Sequence, residues 1–144
     1  MVTELKWGVQ TFCQEIGESA CYALQLIYVA EKRTGKSFRV LETLDTLIEC
    51  GYIYYNRQNQ NDNKNFYVSN PAACISYLTG QKCVVAHSVA DYKAKENEYV
   101  IERWERETPK GKYNHFRSAE WDSLADSQTV KYGAKVSTRV VSFA

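Results

Sequence analysis

The apolar pattern of the chain changes at Gly80, and this change constrains the possible folds more than any other feature. Before Gly80, apolar residues recur at three- and four-residue steps, the spacing of helices with one buried face. After it, short segments rich in Val, Thr and Tyr alternate between apolar and polar residues, as half-buried strands do. Helices followed by strands predict an α+β protein rather than a doubly wound one.

Turn and cap residues mark the predicted elements. Pro71 opens a short helix that ends just before Gly80, and two further helices are predicted over residues 20–33 and 40–50. Residues 51–55 favour a short strand, and the polar tract 56–65 favours an exposed loop. The remaining strands, expected to form one antiparallel sheet with hairpin turns at 108–111 and 132–133, are 82–86, 98–106, 113–117 and 136–143.

Length and charge narrow the class of protein. A chain of 144 residues with 44% hydrophobic residues suits a single domain spanning 1–144. Its 18 basic and 17 acidic residues give a formal charge of +1, so neither nucleic acid nor an anionic membrane is expected as a partner. The longest apolar stretch, 20–30, is too short to cross a bilayer, and residues 1–6 do not resemble a signal peptide. We therefore expect a cytoplasmic protein with a protein or peptide as substrate or target.

The cysteines favour thiol chemistry over metal binding. No two of them form a CxxC pair, and with only two histidines the usual zinc spacing is absent, so no metal or cofactor is expected. An odd number without a signal peptide indicates thiols in a reducing compartment, and four of the five are expected in the core. The five are Cys13, Cys21, Cys50, Cys74 and Cys83.

Three residues occur in the order of a papain-like thiol enzyme: Cys21, His115 and Asp122. Cys21 lies at the predicted start of the first helix, where free N–H groups and the helix dipole favour a thiolate. His115 lies in a strand with its side chain opposite that of Phe116, and could exchange a proton with the thiol. Asp122 could then accept a hydrogen bond from the second ring nitrogen, and Gln14 could donate to the oxyanion.

Each of these assignments has an alternative. Cys21 could be a buried cysteine on the first turn of a core helix, and His115 could be a structural hydrogen-bonding residue. Asp126 is the alternative to Asp122, and Gln10 is the alternative to Gln14. His87 is the alternative to His115, and we interpret it as structural.

Five segments of the chain resemble domain-of-unknown-function family 261, a relative of the bacteriocin-processing branch of papain-like peptidases found in spirochaete plasmids and phage-like genes. The resemblance implies a papain-like fold, with N-terminal helices packed on a C-terminal antiparallel sheet, and gives Cys21, His115 and Asp122 the roles of nucleophile, base and orienting residue. The chain departs from the family in having Ser123 where proline follows the aspartate, and in placing Gln14 one position further from the cysteine. The segments are 21–24 (CYAL), 114–116 (NHF), 121–124 (WDSL), 127–133 (SQTVKYG) and 136–140 (VSTRV).

Two functions from different classes fit these features. The first is a papain-like cysteine hydrolase, a peptidase, amidase or isopeptidase of phage or mobile-element origin. The second is a non-catalytic module on the same fold that binds a host protein, for example one of a defence system. Three tryptophans and eleven tyrosines could form an aromatic binding groove or fill the core, and Trp7 and the cluster 52–55 are the first candidates for partner binding.

Overall fold

The computed structural model describes residues 20–55, 66–109, 111–118 and 133–144. The chain forms two compact units, Met1–Gly80 and Gln81–Ala144, and the boundary coincides with the predicted change from helical to β pattern. The described part of the first unit contains helices and a small β-ribbon, whereas that of the second is an antiparallel sheet. The α+β class is therefore confirmed, and a single domain over 1–144 stays a prediction.

The described part of the first unit contains the three predicted helices, each within one residue of its predicted ends. The start of helix α3 is determined by its local sequence. Asn70 Oδ1 accepts a hydrogen bond from the Ala73 N–H at 3.0 Å, and Pro71 occupies the first helical position. Gly80 ends the helix with φ 71°, a conformation that glycine adopts without strain. The helices are α1 (Cys21–Thr34), α2 (Val40–Glu49) and α3 (Pro71–Thr79).

The helices pack on one another and on a two-stranded ribbon of β1 (Ile53–Tyr55) and β2 (Phe66–Val68). Helix α1 packs mainly on α3, and α2 packs mainly on β1. The turn after α2 returns the chain directly as β1, and α2 also contacts α1. The buried apolar side chains of this unit include Leu26, Ile27, Leu44, Leu47, Ile53 and Ile75.

The described sheet of the second unit has the order β3-β6-β4-β5, with every neighbouring pair antiparallel. The hairpin predicted at 108–111 is confirmed, because Thr108 pairs with Gly111 at its end. All four predicted strands are present and somewhat longer than expected, since pairing extends beyond the alternating apolar residues. They are β3 (Cys83–Ser88), β4 (Glu98–Thr108), β5 (Gly111–Ser118) and β6 (Ala134–Phe143).

A carboxylate organises the connection between β3 and β4. Glu98 Oε1 accepts hydrogen bonds from the Tyr92 hydroxyl at 2.6 Å and the Lys95 N–H at 2.9 Å, and Oε2 accepts one from the Ser142 hydroxyl at 3.1 Å. The bond from Tyr92, followed by that from Lys95, lowers the pKa of the Glu98 carboxyl, because both favour its charged form. The same bond to Glu98 raises the pKa of the Tyr92 phenol.

Candidate active site

Cys21 is the first residue of α1, as the sequence predicts. Ala20 before it supplies no side-chain hydrogen bond to the first turn, and that turn contains no acidic residue. The positive end of the helix dipole therefore acts on Cys21 with no carboxylate in the first turn to offset it. A helix start of this kind favours the thiolate, whereas burial of the sulfur favours the neutral thiol.

The thiol of Cys21 lies in a confined position. Cys21 is 9% exposed, and its neighbours Ala20 and Ala23 are almost completely buried. Such burial suits a nucleophile at the base of a narrow cleft, and it equally suits a core cysteine, so the reactivity of the thiol distinguishes the two interpretations.

His115 lies in β5 and is 5% exposed. Its Cα pairs with that of Trp104 on β4, whereas the next residue, Phe116, pairs with Arg103. Side chains alternate along a strand, so His115 and Phe116 point to opposite faces of the sheet, as expected. The Phe116 ring is covered by the guanidinium of Arg139, 5.7 Å from the ring centroid.

The face of the sheet that carries His115 also carries a bonded group of polar side chains. Glu102 and Trp104 alternate on β4 so that both share this face with His115. Glu102 Oε1 accepts a hydrogen bond from the Trp104 indole Nε1–H at 3.1 Å, and Glu102 Oε2 lies 3.3 Å from Lys135 Nζ. The indole is therefore tied to a carboxylate that is itself paired with an ammonium group.

A β-bulge brings Lys135 to this face. Arg103 pairs with Ser137, but the next residue, Trp104, pairs with Lys135, so Val136 is an extra residue between them. In a regular ladder Val136 would pair with Trp104, and Lys135 would point to the other face. The bulge thus gives Glu102 its cationic partner, in agreement with the tendency of bulges to redirect individual side chains.

Sequence reasoning identified His115 but missed Glu102, Trp104 and Lys135. The alternation of β4 contains enough information to place Glu102 and Trp104 on one face. It does not show which residue of β5 lies opposite them, because the register depends on the hairpin turn. The position of Lys135 depends on a bulge that leaves no clear signal in the local sequence.

The remaining predicted site residues lie outside the described residues. These are Gln14 and its competitor Gln10, and Asp122 and its competitor Asp126. Cys21 belongs to the first unit and His115 to the second. The pairing of Cys21 with His115 and Asp122, and the oxyanion role of Gln14, therefore stay predictions.

The other described cysteines occupy three different environments. Cys74 is buried in α3, as expected, with its sulfur 4.0 Å from the Tyr52 carbonyl oxygen. Cys83 is half-buried in β3, and Cys50 is exposed. The expectation that four of the five cysteines lie in the core is therefore wrong, because Cys50 is exposed at the C-terminal end of α2 and Cys83 is only half-buried. Cys13 lies outside the described residues.

His87 is an exposed strand residue. The predicted strand ended before it, but β3 continues to Ser88, and His87 pairs with Arg139 of β6. Thr138 and Val140 of β6 lie on the His115 face of the sheet, so Arg139 between them points to the other face. His87 pairs with Arg139, and its side chain therefore lies on the face opposite to that of His115. His87 therefore serves as a natural control for experiments on His115.

Three exposed tyrosines of the first unit, together with the half-buried Tyr52 beside one of them, are here called the tyrosine surface. Tyr54 and Tyr67 are direct cross-strand partners in the ribbon and are 58% and 63% exposed. Tyr77 of α3 is 53% exposed, and its ring centroid lies 6.4 Å from that of Tyr52, with the rings at 63° to each other. Tyr55, which was grouped with them, is buried and points to the opposite side of the ribbon.

Within the described ranges, no group of three or more His, Cys, Asp or Glu side chains is arranged to hold a metal ion. Among the same residues, no helix combines the length and the apolar character required to span a membrane.

Comparisons with protein-family models, with curated proteins and with solved structures found no match to the chain. The resemblance to domain-of-unknown-function family 261 therefore stays a prediction that depends on the quoted motifs.

Proposed function

We propose that the protein is a papain-like cysteine hydrolase that cleaves a peptide or isopeptide bond, with Cys21 as nucleophile and His115 as base. The observation that carries the proposal is the position of Cys21 at the start of α1, whose first turn contains no acidic residue. The burial of His115 fits a base inside a site from which water is excluded. The order of the two residues along the chain agrees with a papain-like fold.

The proposed reaction proceeds through a thioester. The Cys21 thiolate attacks the carbonyl carbon, and the oxyanion accepts hydrogen bonds from the Cys21 backbone N–H and the Gln14 amide. The His115 imidazolium transfers its proton to the leaving amine as the C–N bond breaks. Water, deprotonated by His115, then attacks the thioester, which releases a carboxylic acid and restores the thiolate. Asp122 accepts a hydrogen bond from the second ring nitrogen throughout.

A reducing compartment such as the cytoplasm is part of this proposal, because the reaction requires a thiol. Cys21, Cys50, Cys74 and Cys83 are thiols in the structure, which agrees with such a compartment.

The rate of alkylation tests the proposal, because iodoacetamide reacts with the thiolate. At about pH 6.5 an ordinary thiol, with a pKa near 8.5, is only about 1% ionised. Cys50 is exposed at the C-terminal end of α2, so it serves as an accessible reference thiol. We therefore expect Cys21, despite its burial, to react about tenfold faster than Cys50 in site-resolved mass spectrometry.

Two histidine variants provide the controls. His115→Ala removes the proposed base and should slow alkylation of Cys21, whereas His87→Ala removes an exposed imidazole and should leave the rate unchanged. Faster reaction at Cys50 than at Cys21 in the native protein would contradict an activated nucleophile. Equal effects of the two histidine variants would contradict the role of His115.

A second candidate function, a non-catalytic module that binds a host protein, is favoured by the tyrosine surface. Tyrosine is enriched at protein interfaces because its ring gives a large contact area and its hydroxyl can form a hydrogen bond. Tyr54, Tyr67 and Tyr77 are each more than half exposed, so their rings are available to contact a partner.

Two variants separate the candidates in any cellular phenotype that the protein produces. Cys21→Ala should abolish the phenotype of a hydrolase, because loss of the nucleophile lowers the rate by several orders of magnitude. The double variant Tyr54→Ala, Tyr67→Ala should abolish the phenotype of a binding module, and Cys21→Ala should then leave it intact. Circular dichroism must show that both variants fold.

A further inference from the structure

The register of β4 and β5 places an indole beside the proposed catalytic base. Trp104 is the direct cross-strand partner of His115, and their side chains share one face of the sheet. The Cβ atoms of such partners are about 4.5–5.5 Å apart, so the two side chains leave the sheet next to each other. The size of the indole allows it to limit how the imidazole rotates about its χ2 angle.

The indole is itself held in place. Its N–H donates to Glu102 Oε1 at 3.1 Å, and the other carboxylate oxygen pairs with Lys135 at 3.3 Å. The side chain of Glu102 is 15% exposed and that of Lys135 is 30% exposed, so solvent screens this pair less than it screens an ion pair in open water. The bulge at Val136 is required for this arrangement, because without it Lys135 would lie on the opposite face.

We propose that Trp104, held by Glu102 and Lys135, is a positioning residue for the imidazole of His115. The inference rests on the proposed function in that it gives His115 a catalytic task. The fixed indole forms one wall against the imidazole and keeps it in the rotamer that presents a ring nitrogen to the nucleophile. A misplacement of about 1 Å in a catalytic group can lower a rate by about a hundredfold, so a neighbour that restricts the base affects catalysis without touching the substrate.

Proton NMR of the imidazole tests the positioning without relying on activity. The chain has only two histidines, and the exposed His87 provides an internal reference. The aromatic ring current of Trp104 should displace the His115 Cδ2–H and Cε1–H resonances from those of His87. In Glu102→Ala the indole loses its acceptor, and we expect the His115 resonances to move toward those of His87.

Two further variants sharpen the comparison. Glu102→Gln keeps an oxygen that can accept from the indole and should largely preserve the native resonances. Glu105→Gln is the matched control: Glu105 is on the same strand but the opposite face, where its carboxylate lies 3.4 Å from Arg103. It should leave the His115 resonances unchanged. Should Glu102→Ala fail to fold, Trp104→Phe retains an aromatic ring without the N–H and should give the same displacement.

The outcomes separate this inference from the proposed function. Unchanged His115 resonances in Glu102→Ala and Trp104→Phe would overturn the inference, whatever the reactivity of Cys21. If the His115 resonances move in both variants but His115→Ala does not slow alkylation of Cys21, Trp104 positions the imidazole and the hydrolase proposal is wrong. If both proposals hold, Glu102→Ala should lower the His115-dependent part of the alkylation rate about tenfold, and Glu102→Gln should restore most of it.

Discussion

Replacing Gly133 with alanine should destabilise the sheet at the edge of the bulged region. Gly133 has φ 91°, which costs an alanine about 1–2 kcal/mol. A Cβ added there would collide with the Glu105 carbonyl oxygen and lie 3.1 Å from the Arg106 Cα. These are backbone atoms, so no side-chain rotation relieves the contact, and the start of β6 must move away from β4.

The expected loss combines the two effects. Displacement of a packed segment by an added methyl group typically costs about 1–3 kcal/mol, which with the conformational term gives about 2–5 kcal/mol for Gly133→Ala. A typical domain has a free energy of unfolding of only about 5–15 kcal/mol, so the change should be large in urea unfolding followed by circular dichroism.

Gly51→Ala is the matched control. Gly51 has a similar φ of 81°, but a Cβ there would meet nothing within 4 Å. That variant should therefore lose only the conformational term of about 1–2 kcal/mol. The reasoning would be refuted if the two variants lost the same free energy of unfolding within about 0.5 kcal/mol, because the close approach of Gly133 to β4 would then have no energetic effect.

Two further predictions concern single hydrogen-bonded groups. Asn70→Ala should lower the free energy of unfolding by about 1 kcal/mol, because the Ala73 N–H loses its acceptor, whereas Asn70→Asp should retain the native value; equal losses in urea unfolding would contradict the capping role. The hydrogen bonds that lower the pKa of Glu98 stabilise the native state above the unfolded value of 4.5, and this contribution is lost as the pH falls through the lower native pKa. Unfolding measured between about pH 2 and pH 7 should therefore show a weaker pH dependence in Glu98→Gln, and an unchanged pH profile would count against the assignment.

Local sequence was sufficient to predict the described helices and every described strand except β2. The ends of α3 are determined by Asn70, Pro71 and Gly80, each of which acts on its own turn. The strands of the second unit follow from alternation, since a half-buried strand repeats its environment every second residue. The ribbon strand β2 was missed, because its three residues are too few to show a period.

The same distinction between local and tertiary information applies to the cysteines. The start of α1 at Cys21 could be predicted, because helix boundaries depend on neighbouring residues. The exposure of Cys50 could not, since it depends on where the buried stripe of α2 ends and which element covers it. A pattern that continues to the last turn of a helix does not show how far the neighbouring structure extends.

The sequence by itself determined the α+β class and most of the segment boundaries, because these depend on residues within a few positions of one another. It also supplied Cys21 and His115 as candidates, and their pairing stays a prediction. Only the tertiary structure decided that Trp104 lies opposite His115 and that Lys135 reaches Glu102. Strand register and bulges are set by the pairing of distant segments, and a shift of one residue exchanges the faces on which side chains lie.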